Sequence, residues 1–146
     1  MRSDIPDTIV SAFHATRYLV FAPAGTITLR IGQHNPALQG LMATQGCLST
    51  AILTAYNPGA RQTGIAANRR AQRALLQDAS ALGLPCFYGR NLAGDGNGPT
   101  EPTVAILGAS LQQGCGLARR YRQLAFVFSK EDAVPELMWP GRQHPD

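Results

Sequence analysis

Acidic residues are scarce in this chain. Asp and Glu together number 9 in 146 residues, and charged residues of both signs reach only 15%, against about 25% in an ordinary globular protein. With so few carboxylates, a His/Asp/Glu metal site is not expected, and His14, His34 and His144 lie far apart. Cysteine is sparse as well. Cys47, Cys86 and Cys115 are odd in number and widely spaced, with no CxxC, which excludes a disulfide framework or a zinc site. They read as small buried hydrophobes in a reducing cytoplasm. No apolar run approaches the roughly 18 residues of a membrane span. The first residues carry Asp4 and Asp7 without an apolar stretch, so no secretory leader is expected. Lysine is almost absent: Lys130 is the sole lysine among 13 basic residues, and the rest are arginines.

What is present suits one packed domain. Hydrophobic residues make up 45%, too many for a disordered chain. A chain of this length buries about 68–70% of its unfolded surface without a metal or disulfide. A single globular domain over residues 1–139 is expected, with 140–146 as a flexible Pro/Gly-rich tail. Residues 5–16 are amphipathic with a helical period. Tyr18–Phe21 and Thr26–Ile31 read as a hairpin. Asn35-Pro36 opens a helix that stops at Gly46. Cys47–Tyr56 is a continuous apolar and β-branched run, a strand buried on both faces. Asn57-Pro58-Gly59 breaks it. Residues 65–82 form the longest helix, closed by Gly83. Pro85–Tyr88 is a short strand, and Gly89–Thr100 reads as a long glycine-rich loop. Strand Thr103–Leu107, helix 111–122, strand Leu124–Phe128 and an edge strand near Leu137–Trp139 complete the order. The fold class is α/β or α+β, a single mixed β-sheet with helices packed on it.

The informative junction joins the central strand to the longest helix. Ile65, Asn68, Ala71, Leu75, Ala79 and Leu82 share one helical face, and Asn68 is its one polar member. A buried amide demands partners, and Asn57 at the strand end is one loop away. Together they outline a polar pocket, with Arg61 and Arg69 at its rim and free helix N–H groups at its floor. Asn57 equally suits an Asx-turn and Asn68 a tie between loop and helix. Glu101 precedes a buried strand, as a carboxylate placed to pair with an arginine or to act as a general base, and it is the candidate catalytic residue. Asp78 is expected to be solvated, and Asp95 to serve a turn. The loop lacks a GK[ST] ending, so it is not a phosphate-binding Walker motif, and no cofactor is expected.

The arginines cluster at Arg69, Arg70 and Arg73 and at Arg119, Arg120 and Arg122. Net charge is +4 with a pI near 9.3. A basic face for nucleic acid is one reading. Few aromatics neighbour these arginines in sequence, so no stacking platform for single strands is evident.

Several segments in combination carry a resemblance: Ala12-Phe-His-Ala-Thr-Arg-Tyr18, Leu29-Arg-Ile-Gly32, Ile52-Leu-Thr-Ala-Tyr-Asn-Pro58, Asn68-Arg69, Glu101-Pro-Thr-Val104 and Tyr121-Arg-Gln-Leu-Ala125. The chain resembles the bacterial domain-of-unknown-function family numbered 3293. The resemblance implies a small soluble bacterial protein and no particular activity. It adds Tyr56 and Gln123 to Asn57, Asn68 and Glu101 as polar positions of interest. The expected ligand-binding set is thus Tyr56, Asn57, Arg61, Asn68, Arg69 and Gln123, for a small polar or anionic, nucleotide-like ligand, with no metal. A basic nucleic-acid-binding module and a protein-interaction domain anchored near Trp139 are the competing expectations.

Overall fold

The computed structural model describes residues 5–94 and 100–141. The N-terminal amphipathic pattern forms α1 (Asp7–Ala15), and the hairpin forms as β1 (Arg17–Ala22) and β2 (Gly25–Leu29). Helix α2 (Pro36–Gln45) begins at Asn35, whose side chain accepts from the Leu38 N–H at 3.0 Å, and ends at Gly46 in the left-handed region. Then follow β3 (Thr50–Leu53), a single 3₁₀ turn (Pro58–Ala60), α3 (Ile65–Ala81), β4 (Cys86–Leu92), β5 (Glu101–Leu107), α4 (Leu111–Arg120), β6 (Phe126–Ser129) and β7 (Glu136–Met138). A reciprocal capping box starts α4: Ser110 Oγ accepts from the Gln113 N–H, and the Gln113 side chain accepts from the Ser110 N–H.

All seven strands form one sheet in the order β2-β1-β4-β5-β3-β6-β7. Where strands of mixed direction are expected, every pairing is antiparallel. The helical crossovers explain this. Helix α3 carries the chain from β3 to β4, and α4 carries it from β5 to β6. Each crossover skips one strand position, and an antiparallel strand fills the gap. Residues 50–129 are therefore two interlocked split βαβ units, the ferredoxin-like connectivity. The hairpin β1–β2 extends this core beyond β4, and β7 extends it beyond β6.

The core lies on both faces of the sheet. On one face α3 and α4 supply Leu75, Ala79, Cys115 and Ala118 against Leu53, Val104, Ile106 and Phe126. On the other, α2 supplies Leu38 and Met42 against Val20, Leu29, Ile52, Leu107 and Val127. This is why β3 is apolar without alternation: all four of its residues are buried.

Several elements depart from expectation. The ladder of β3 stops at Leu53, because the Gln72 side chain on α3 takes the Ala55 N–H at 2.8 Å in place of a neighbouring strand. In contrast, β4 runs on to Leu92. Pairing with β1 on one side and β5 on the other overrides its glycine content. The expected loop from Gly89 thus begins as strand, and Asp95 lies outside the described residues. Asp78 is not merely solvated: Tyr121 Oη donates to it, and Arg120 Nη1 pairs with it at 3.1 Å. Pro140, expected in a frayed tail, is buried, and its carbonyl accepts from Arg119 Nε at 2.7 Å. Cys115 is buried as expected, but Cys47 and Cys86 are only half-buried.

Candidate functional site

Antiparallel pairing brings the end of β3, the start of β5, the end of β4 and the start of β1 to one end of the sheet. The segment 121–125 that leads into β6 joins them. The chain leaves β3 through Asn57, which adopts φ 51 and ψ 62. Asparagine is among the few non-glycine residues that tolerate this left-handed region. The conformation turns the Asn57 side chain back across the sheet end.

Asn57 and Asn68 bind each other reciprocally. The Asn57 N–H donates to Asn68 Oδ1 at 2.9 Å, and Asn68 Nδ2 donates to Asn57 Oδ1 at 3.0 Å. Asn68 Nδ2 also donates to the Thr63 carbonyl, and the Thr63 N–H donates to Asn57 Oδ1 at 3.0 Å. These bonds close the 57–63 loop on the first turns of α3. Asn68 is only 4% exposed, so its amide is consumed inside the protein. What emerges from the cluster is Asn57 Nδ2, which donates to Glu101 Oε2 at 2.8 Å. The three polar residues read from the sequence therefore form one chain of contacts.

Glu101 has no cation within ion-pair distance among the described residues. Burial pushes its carboxyl above the ordinary glutamate value, and the Asn57 amide only partly offsets this. Its lateral neighbours on the same face are Asn91 on β4 and, beyond it, Tyr18 on β1: the register pairs Glu101 with Asn91 and Asn91 with Tyr18. Directly opposed side chains sit about 4.5–5.5 Å apart at Cβ. Asn91 Oδ1 is buried and has no hydrogen-bond partner among the described residues. The Tyr18 hydroxyl donates to the Phe13 carbonyl at 2.8 Å, and burial with the nearby Glu101 charge holds it protonated.

A cleft of about 310 Å³ opens over this row. Its floor is Tyr18, Asn91, Glu101 and Asn57. Tyr56 and Gln123 form one wall, and Ile9, Ala12 and Phe13 of α1 form an apolar roof. Gln123 is fixed by donating from Nε2 to the Tyr56 and Tyr121 carbonyls, at 3.1 and 3.2 Å. A second small cavity of about 40 Å³ continues beneath Glu101 and Asn91 toward Ile52 and Val127. Helix α1 buries none of its residues fully and rests on the body through Phe13, whose ring meets Trp139 edge-on at 6.0 Å.

Of the residues read from the sequence, Tyr56, Asn57, Glu101 and Gln123 line the cleft. Asn68 stands behind it as a support. Arg61 and Arg69 are exposed and do not line it. Trp139 is 6% exposed and packs inward. Among the described residues no group of His, Cys, Asp and Glu is arranged to hold a metal ion. The sequence reading missed Tyr18 and Asn91. Their apolar or glycine-rich neighbourhoods hid them, and only strand register puts them beside Glu101.

The family model described as "Protein of unknown function (DUF3293)" matches residues 53–126. The chain belongs to this family. The matched DUF3293 segment runs from the end of β3 to the start of β6. It contains Tyr56, Asn57, Asn68, Asn91, Glu101 and Gln123, while the α1 roof and Tyr18 precede it. No match was found among curated proteins or among solved structures. No helix among the described residues is long and apolar enough to cross a membrane.

Proposed function

We propose that this DUF3293 protein is a small-molecule-binding domain whose cleft takes a polar ligand presenting N–H donors, such as an amidinium, a protonated amine or the donor edge of a nucleobase. One observation carries the reading: Glu101, a half-buried carboxylate with no cation within ion-pair distance among the described residues, stands beside Asn91 Oδ1, a buried acceptor without a partner among them. Buried acceptors of this kind are costly to leave unpaired, and the volume is at the lower end of the roughly 300–1,000 Å³ typical of ligand pockets. The exposed placement of Arg61 and Arg69 leaves the cleft's charge to Glu101, which favours a donor or cation over an anion. Three free cysteines support a cytoplasmic setting, and the resemblance described above supports a bacterial one.

Saturation-transfer NMR against a library split into N–H-rich and carboxylate-bearing fragments tests the reading. Hits are expected in the first class and lost in Glu101→Gln, which keeps the shape but removes the charge. Hits confined to carboxylates, or hits indifferent to Glu101→Gln, would refute it.

A further inference from the structure

A second surface lies on the opposite side of β1 and β4 from the cleft. Alternation along the strands turns Tyr18 and Val20 inward and leaves Arg17, Leu19 and Phe21 on the outer face of β1. On β4 the outer face carries Tyr88 and Arg90. On β2 it carries Thr26 and Thr28, with Arg30 directly after the strand. The register pairs Leu19 with Thr28 on one side and with Arg90 on the other, and Val20 with Gly89, so continuing it by one residue sets Phe21 opposite Tyr88 on the adjoining strand. Helices α3 and α4 pack over β5, β3 and β6. They leave Phe21 43% and Tyr88 66% exposed.

Two exposed aromatic rings on neighbouring strands are unusual in a chain with 7% aromatic residues. Arg30 and Arg90 on this face are exposed and Arg17 is half-buried with its Nε enclosed, and neither segment 17–30 nor segment 86–92 contains an acidic residue. The strands beneath are closely apposed. A Cβ on Gly89 would lie 1.9 Å from the Leu19 carbonyl oxygen, so only glycine permits this approach. The result is a solvent-facing surface that joins two exposed aromatic side chains to arginines. Such a surface suits unpaired bases, which stack on aromatic side chains while arginines meet the phosphates.

We propose that the outer face of β2-β1-β4 binds single-stranded nucleic acid, with bases on Tyr88 and Phe21 and phosphates on Arg17, Arg30 and Arg90. The chemistry is shared by DNA and RNA strands. The site is separate from the cleft and independent of the ligand proposed there.

Fluorescence anisotropy with labelled dT12 and rU12 at 25–200 mM NaCl tests this, with a 12-base-pair duplex as competitor. Binding is expected with a log–log salt slope near −2, given about −0.7 per phosphate contact and three arginines. Tyr88→Ala and Phe21→Ala are each expected to weaken binding roughly tenfold. Tyr88→Phe, which keeps the ring, is expected to retain binding and guards against a folding artefact. Comparable loss for dT12 and rU12 marks stacking and phosphate contacts as the whole recognition, and selective loss for rU12 adds a 2′-hydroxyl contact at the same platform. No binding at 25 mM NaCl, binding unchanged by both alanine variants, or equal preference for the duplex would overturn the proposal.

Discussion

Asn68 shows how a single buried amide organises a site without touching it. Its three hydrogen bonds hold the Asn57 backbone, the Asn57 side chain and the Thr63 carbonyl. Asn68→Ala is expected to destabilise the fold by about 1–3 kcal/mol in urea denaturation, because partners stay buried and unpaired. Glu101 has the opposite sign. Its carboxyl is raised in the folded state, so it stabilises the fold relative to the unfolded chain only while protonated. That contribution is full below the ordinary glutamate value of 4.5 and is lost as pH rises through the higher folded value. Denaturant midpoints measured against pH should therefore fall over this window in the wild type, and Glu101→Gln should flatten the fall. A steeper fall in the variant would contradict the assignment. At this scale the sequence was informative where local rules operate. A strand breaker marked Asn57, and helical spacing marked Asn68. Gln72 fits the same spacing, four residues after Asn68 and three before Leu75, and was passed over for Ala71: it is 6% exposed, while Ile65, expected inside, is 56% exposed.

Among elements, register decides what composition cannot. Gly89 sits in a segment that reads as loop, yet a Cβ there would meet the Leu19 carbonyl of β1 and the Thr103 hydroxyl of β5. Gly89→Ala forces a Cβ into the Leu19 carbonyl and is expected to cost about 1–3 kcal/mol or more, seen as a lowered Tm. Gly114→Ala on α4 meets the Phe126 ring at 2.5 Å and is expected to destabilise less, since a side chain can move where a backbone cannot. Helices α3 and α4 are also joined through Asp78. The Tyr121 hydroxyl, chiefly, and Arg120 hold its carboxyl below the usual aspartate range. That stabilisation is present above the unfolded aspartate pKa and is lost as pH falls through the lower folded value. Tyr121→Phe should lower stability by about 1 kcal/mol or less at neutral pH, with the difference from wild type vanishing in acid. Element identities were legible because caps and periods are local. The strand directions were not, because the skipped positions in the two crossovers are set by long-range pairing.

Across the molecule, the sheet separates two chemistries. One end gathers acceptors over a cleft roofed by α1, and the outer face of β1 and β4 gathers aromatics and arginines. The sequence showed the arginine excess but not its distribution, since Phe21 and Tyr88 are far apart in the chain and adjacent only through β1–β4 pairing. The DUF3293 match runs from the end of β3 to the start of β6 and contains Asn57, Asn91 and Glu101 of the cleft floor, while Tyr18 precedes it.

The central claim is that Glu101 and Asn91 form a waiting acceptor pair. A ¹⁵N-resolved NMR titration with benzamidinium and benzoate, matched in shape and opposite in charge, tests it most directly. Benzamidinium is expected to shift the amide resonances of Asn57, Asn91, Glu101 and Gln123, and Glu101→Gln is expected to abolish those shifts. Benzoate moving the same resonances equally, or benzamidinium leaving them unmoved, would contradict the account.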